Sequence, residues 1–255
     1  MTLSADLCLG TVDAIVERLA LVEQIGDGPN CSRDLRSPMV PEATVGSVRI
    51  YRRSGVADLV YVGLTVAMIG LDSHMMFAFT PPESAVPHFT LDSVASGPPP
   101  GVPAAEAGPG YAFHLDLIPK VDLGANLGYL RHCFEPLTAL RAEAQQISGL
   151  SAAHLSPTQY AVMSAWMLVH RADASAFAEI GPAVAAYRNH WFSLIEHGVP
   201  AELVSASAAQ LSARDHANRS IVFDPTVDPV WGRVTQLLGA EQAESIRSLL
   251  AKPLS

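Results

Sequence analysis

The segment Pro87-His88-Phe89-Thr90-Leu91-Asp92 alternates imidazole, hydroxyl and carboxyl groups with aromatic and aliphatic ones. Side chains in an extended strand point alternately to opposite faces, so His88, Thr90 and Asp92 share one face. His114 and Asp116 do the same within Tyr111 to Ile118, and His74 shares a face with Met76 in the strand before. Where two such polar faces lie on the same side of a sheet they form a cleft with imidazole and carboxyl groups close together. A carboxyl there is partly desolvated, its pKa rises, and it can hold a proton at neutral pH and donate it. The same pattern also describes a solvated outer face with an Asp at a strand end, and spacing alone leaves both readings open. No Gly-rich phosphate loop, His-Glu-x-x-His, Cys-x-x-Cys or Gly-x-Ser-x-Gly elbow is present, so the common motif-borne mechanisms have no support. His190 and His197 fall on one predicted helix face but about 10 Å apart by helix rise, too far for one metal ion. Cys8, Cys31 and Cys133 are widely spaced and odd in number, which fits neither a disulfide framework nor a metal knuckle. No metal ligand set is expected.

The elements that must carry these residues are legible from pattern. Apolar residues at Cys8, Val12, Ile15, Val16, Leu19 and Val22 predict an amphipathic helix over Ser4 to Glu23. Residues 27–44 have no periodicity and read as an irregular arm. Val48 to Arg53, Leu59 to Ile69, His74 to Phe79, His88 to Val94 and Tyr111 to Ile118 are rich in strand formers. Their short separations leave no room for helical crossovers, which predicts an antiparallel meander. Ser96 to Gly110 is mostly Gly, Pro and Ala and reads as a long loop, a candidate lid. Downstream, Asn126 to Ile147 reads as a helix interrupted at Pro136, Tyr160 to His170 as a strand, and Ser175 to His197 as a long helix in which Pro182 marks a break or a first turn. Asp228 and Pro229 open a helix that stops at Gly239, and a last helix runs from Ala240 to Leu250. The expected fold class is α+β: a sheet with helices packed on both faces, in a single domain of residues 1–255, with an N-terminal helix and irregular arm at 1–44 and a core at 45–251.

Bulk properties narrow the function classes. A chain of 255 residues with 49% hydrophobic and 16% charged residues can bury a substantial core. Its longest apolar run, Leu59 to Gly70, is about half the length that crosses a bilayer, so no membrane span is expected. The first residues lack the basic and apolar blocks of a secretory signal, and a cytoplasmic location is expected. The net charge of -9 argues against a nucleic-acid surface. Basic residues gather at Arg49, Arg52 and Arg53 and again at Arg214 and Arg219, leaving room for a local positive patch.

In order along the chain, several stretches resemble the ferredoxin-dependent bilin reductases, and especially red chlorophyll catabolite reductase. Residues 87–92 resemble the family segment that ends in a catalytic acid, usually Glu, with Asp92 as its counterpart. Phe113-His114-Leu115-Asp116-Leu117-Ile118-Pro119-Lys120-Val121-Asp122-Leu123 resembles a family strand ending in Asp-Leu-x-Pro, followed by a basic residue and Asp-Leu. Leu155-Ser156-Pro157, and Arg219-Ser220-Ile221-Val222-Phe223-Asp224 before the final helices, continue the likeness, which covers Val45 to Leu250.

The resemblance implies a three-layer α/β/α sandwich around a central antiparallel sheet. It implies a linear tetrapyrrole held between the sheet and the helices on one side, with no bound cofactor. Electrons would arrive singly from reduced ferredoxin, and side chains would supply protons. Carried over residue by residue, Asp92 is the first proton donor and Asp224 the second, and His88 or His74 is the histidine partner. His114 lies in the substrate site, and Arg171 holds a substrate propionate. Relatives point to a homodimer. The sequence departs from the pattern in three ways: Asp stands for Glu at 92, Met163 stands where the chlorophyll catabolite enzyme has Arg, and extra residues separate Asp224 from Gly239. Asp228 therefore competes with Asp224, although its place before Pro229 fits a helix cap. Two alternatives stay open: a tetrapyrrole-binding protein without turnover, and an enzyme of this fold acting on an unrelated metabolite.

Overall fold

The computed structural model describes residues 2–97 and 110–253. The candidate lid, Ser96 to Gly110, lies mostly outside the described residues. Strand-forming segments build β1 (Val22–Glu23), β2 (Arg33–Ser37), β3 (Val40–Arg53), β4 (Ala57–Val66), β5 (Leu71–Phe79), β6 (His88–Ser96), β7 (Gly110–Ile118), β8 (Leu150–Ala152) and β9 (Leu168–Ala172). They form one nine-stranded sheet in the order β1-β3-β4-β5-β6-β7-β9-β8, with β2 also paired to β3. Every pairing is antiparallel, and β3 to β7 is the expected meander.

Alternation along these strands makes both sheet faces apolar, so both must be covered. On one face Leu59, Tyr61, Met76, Leu91 and Leu115 pack against α1 (Leu3–Leu19) and α6 (Gly181–His197). On the other, Val60, Val62, Met75, Phe77 and Phe79 pack against α8 (Val230–Leu238) and α9 (Ala240–Ala251). The remaining helices are α2 (Leu127–Cys133), α3 (Leu137–Ala144), α4 (Pro157–Val162), α5 (Ala174–Ala178) and α7 (Ala208–Val222). This is the α+β sandwich, with helices on both faces of an antiparallel sheet. Pro136 splits α2 from α3, and Pro182 sits in the first turn of α6, as the pattern predicts.

Three expectations are corrected, and one helix is added. The first helix ends at Leu19, where Ala20 adopts a left-handed conformation, so Val22 and Glu23, expected on its last turn, form β1. The arm at 27–44 is not irregular throughout. It contains β2 and the start of β3, held because Leu35 and Ser37 turn inward while Asp34 and Arg36 stay exposed. With only one large apolar residue, that alternation is too weak to read. The expected strand at Tyr160 to His170 is instead the short helix α4 followed by β9. Ser156 and Gln159 form a reciprocal capping box with Pro157 in the first turn, and this start signal outweighs the local strand propensity. Helix α7 was not foreseen, and the same kind of box, Ser207 with Gln210, opens it.

Candidate functional site

Strand register settles which polar faces meet. Asp92 of β6 lies directly across from His114 of β7, and Thr90 across from Asp116. These residues therefore share one side of the sheet, the side that carries Met75, Phe77 and Phe79. The C-terminal helices do not close onto this surface everywhere. A cleft of about 700 Å³ remains between it and α8, with Leu71, Met75, Val169, Leu155 and Leu237 among its mainly apolar walls. It continues into an inner lobe of about 50 Å³ next to Phe77, Phe79 and α7, and the two share Asp92, His114, Met163 and Asp228.

At the junction, His114 Nδ1 lies 3.6 Å from Asp92 Oδ2, an ion-pair distance longer than a hydrogen bond. Asp92 Oδ1 and His114 Nε2 are buried and have no partner. Such atoms are rare in finished protein interiors and common where a ligand completes the bonding. Burial tends to lower the His114 pKa, but the carboxylates of Asp92, Asp116 and Asp228 outweigh it and the net shift is upward. Burial raises the Asp228 carboxyl, and the nearby Asp92 charge adds to the rise. Burial also pushes Asp116 up to about 6, although its carboxylate accepts bonds from the Ser164 N–H (2.9 Å) and hydroxyl (2.5 Å). Burial thus favours the protonated form at Asp116 and Asp228, and the imidazole of His114 lies in the field of the surrounding carboxyls.

The other expected site residues have distinct places. His88 lines the inner lobe with both ring nitrogens engaged. Its Nδ1 accepts from the Thr80 N–H (3.1 Å), which puts the proton on Nε2, 2.6 Å from Asp215 Oδ1. Burial, reinforced by Lys120 and Arg219, lowers His88 to about 3, so the ring is neutral at pH 7. His74 is on the opposite side of the sheet, facing α1. Tyr61 Oη is 2.7 Å from its Nδ1 and Asp72 Oδ1 is 3.1 Å from its Nε2. Asp72 also bonds the hydroxyls of Thr65 and of Thr2, the N-cap of α1. Arg171 is exposed on β9, across from Ala112. Asp224 does not line the cleft: its carboxylate closes a surface turn on the Thr226 N–H (2.8 Å) and hydroxyl (2.6 Å). Asp228 takes the cleft position and also accepts the Val230 N–H at 3.0 Å; it stands one residue before the N-cap, Pro229, rather than at the cap itself, and lines the cavity.

Behind the inner lobe lies a buried ion cluster centred on Asp215, a residue that the sequence reading did not single out. Asp215 is buried between Lys120 Nζ (2.8 Å), Arg219 Nε (3.0 Å) and His88. Arg219 is therefore part of the interior, not of a surface patch. Lys120 also donates to the Pro81 and Pro82 carbonyls, and Trp191 Nε1 donates to the Pro87 carbonyl at 2.8 Å, which fixes the segment leading into β6. The i, i+4 spacing of Asp215 and Arg219 behind a Ser-x-x-Gln box is the signal that could have revealed them. Among the described residues no group of three or more His, Cys, Asp or Glu is placed to hold a metal ion, and no helix is long and apolar enough to cross a membrane.

No protein-family model and no curated protein matches this sequence. Among solved structures, phytochromobilin synthase from tomato in complex with biliverdin matches with a TM-score of 0.71 over 96% of this chain and 82% of that one, at 14% identity. The fold implied by the resemblance to bilin reductases is thus the fold this chain shares with phytochromobilin synthase.

Proposed function

We propose that this chain is a ferredoxin-dependent reductase of a linear tetrapyrrole, bound in the cleft between the sheet and α8. The supporting observation is the Asp92–His114–Asp228 group: half-buried, with Asp92 Oδ1 and His114 Nε2 lacking partners, and set at the junction of an apolar cleft of about 700 Å³, within the usual range for a small-molecule site. The fold match to a biliverdin-bound bilin reductase supports the same class of ligand.

In this reading two reduced ferredoxins each give one electron to the conjugated pigment, and two protons follow, so one double bond is saturated overall. The Asp92–His114 pair supplies the first proton. Asp228 supplies the second, in the role that the resemblance gave to Asp224. Both are replenished from water through the partly exposed Asp92 side chain. The apolar walls exclude bulk water, so a radical formed between the two electron transfers is protonated by placed groups rather than by solvent. His88 is neutral and doubly bonded, and acts by shaping the inner lobe. Arg171 stands outside the cleft wall, where it can pair with a propionate that reaches solvent.

The test is anaerobic incubation of biliverdin with reduced ferredoxin and the protein, following pigment absorbance. Wild type should consume the pigment. Asp92→Asn should bind it yet lose at least about a hundredfold in rate, the usual loss for a placed proton donor. Saturable binding without consumption by wild type would show a carrier and overturn the reductase reading.

A further inference from the structure

The inner lobe has a chemical bias of its own. Arg219 is buried at 3% exposure and lies with its guanidinium carbon 3.8 Å from the centroid of the Phe79 ring. Its Nη1 has no hydrogen-bond partner, and neither does Trp231 Nε1, on a side chain that is also 3% exposed. Both side chains line the lobe, and Phe223 lies against both Phe79 and Trp231, at ring centroid distances of 6.2 Å in each case. Both unpartnered atoms are N–H donors. Of the other polar lining groups, His88, Thr90 and Asn218 already have protein partners, and Asp92, His114 and Asp228 stand where the lobe joins the outer cleft.

Charge points the same way. Lys120 and Arg219 share the single buried carboxylate of Asp215, and His88 between them is neutral; Asp58, the next acidic group acting on Arg219, is already paired with Arg52 at 2.9 Å, so Arg219 is short of a counter-charge of its own. An uncompensated buried charge is costly and is normally paired. We propose that the inner lobe is an anion subsite that takes a carboxylate of the ligand, with Arg219 and Trp231 as its donors. The volume of about 50 Å³ fits a small terminal group of this kind and no ring system. The inference deepens the pigment reading of the same cleft and rests on it for the rest of the ligand. It assigns one acidic arm of the ligand to the inside of the protein, rather than to the outer cleft that Arg233 lines.

The probes are 4-phenylbutyrate and its methyl ester, titrated by calorimetry and by the indole N–H resonances of the tryptophans, alongside biliverdin and its dimethyl ester. Wild type should prefer each acid over its ester by about tenfold or more, the scale of a charge-assisted hydrogen bond. The Trp231 resonance should move with the acids only. Arg219→Met should abolish the preference, weakening the acids at least about tenfold more than the esters. Trp231→Phe, which removes a donor but leaves the buried charges intact, should reduce the preference several-fold and guards against a folding defect in the first variant. Equal affinity of acid and ester for wild type, or a Trp231 resonance unmoved by saturating acid, would overturn the subsite. Selective binding of phenylbutyrate without any tetrapyrrole binding would uphold it and remove the pigment reading alone.

Discussion

Asp224 and Asp228 differ only in what surrounds them. The first spends both its acceptor bonds on Thr226 at the surface, and the second is drawn into the cavity by the turn that starts α8. Asp224→Asn is therefore expected to leave bilin turnover within about twofold, whereas Asp228→Asn should lower it by about a hundredfold, as steady-state rates will show. Burial sets the second residue-scale expectation. Because His88 is lowered to about 3, the unfolded chain binds a proton below about pH 6.5 that the folded chain refuses, so its contribution to stability falls as pH drops through that window. Asp116, raised to about 6, works in the opposite sense below that pH, so the comparison must be between variants. His88→Gln should lose less stability than wild type between about pH 7 and about pH 4.5, by about 2 kcal/mol in urea unfolding. None of these environments is written in the local sequence. Asp228 before a proline reads as a cap; the cap falls one residue later, on Pro229, and the place of Asp228 in the cleft depends on what that turn faces.

At the scale of elements, strands were more legible than helices wherever alternation involved large residues, as in β4 to β7. The failures have a common origin. Residues 160–170 hold Tyr, Val, Met and Trp, and their strand propensity hid a helix set by Ser156, Pro157 and Gln159. Helix α7 is polar along most of its length and buries only Leu211, Asp215 and Arg219, so no apolar stripe announces it. Close strand contacts are equally silent in sequence. A Cβ on Gly46 would lie 1.9 Å from the backbone oxygen of Gly63 on the neighbouring strand, which no side-chain adjustment relieves. Gly46→Ala should therefore destabilise the protein by about 2 kcal/mol, the cost of overpacking that forces backbone to move, measured by denaturant unfolding.

For the molecule as a whole, the sheet acts as a partition, and function depends on which side a residue falls. Alternation fixes which residues of one strand share a side, but only register between strands decides which sides coincide. Met75, not His74, stands across from Asp92, so the histidine weighed as a partner lies behind the sheet under α1, while His114 faces the cleft. That pairing could not be read from either strand alone. The central claim, that a tetrapyrrole lies on the His114 side, is tested most directly by absorbance titration of biliverdin into wild type, His114→Gln and His74→Ala. The expected result is a saturable one-to-one spectral change whose bound spectrum is altered by His114→Gln and retained in His74→Ala. No saturable change in wild type, or a bound spectrum that responds to His74 and ignores His114, would contradict it.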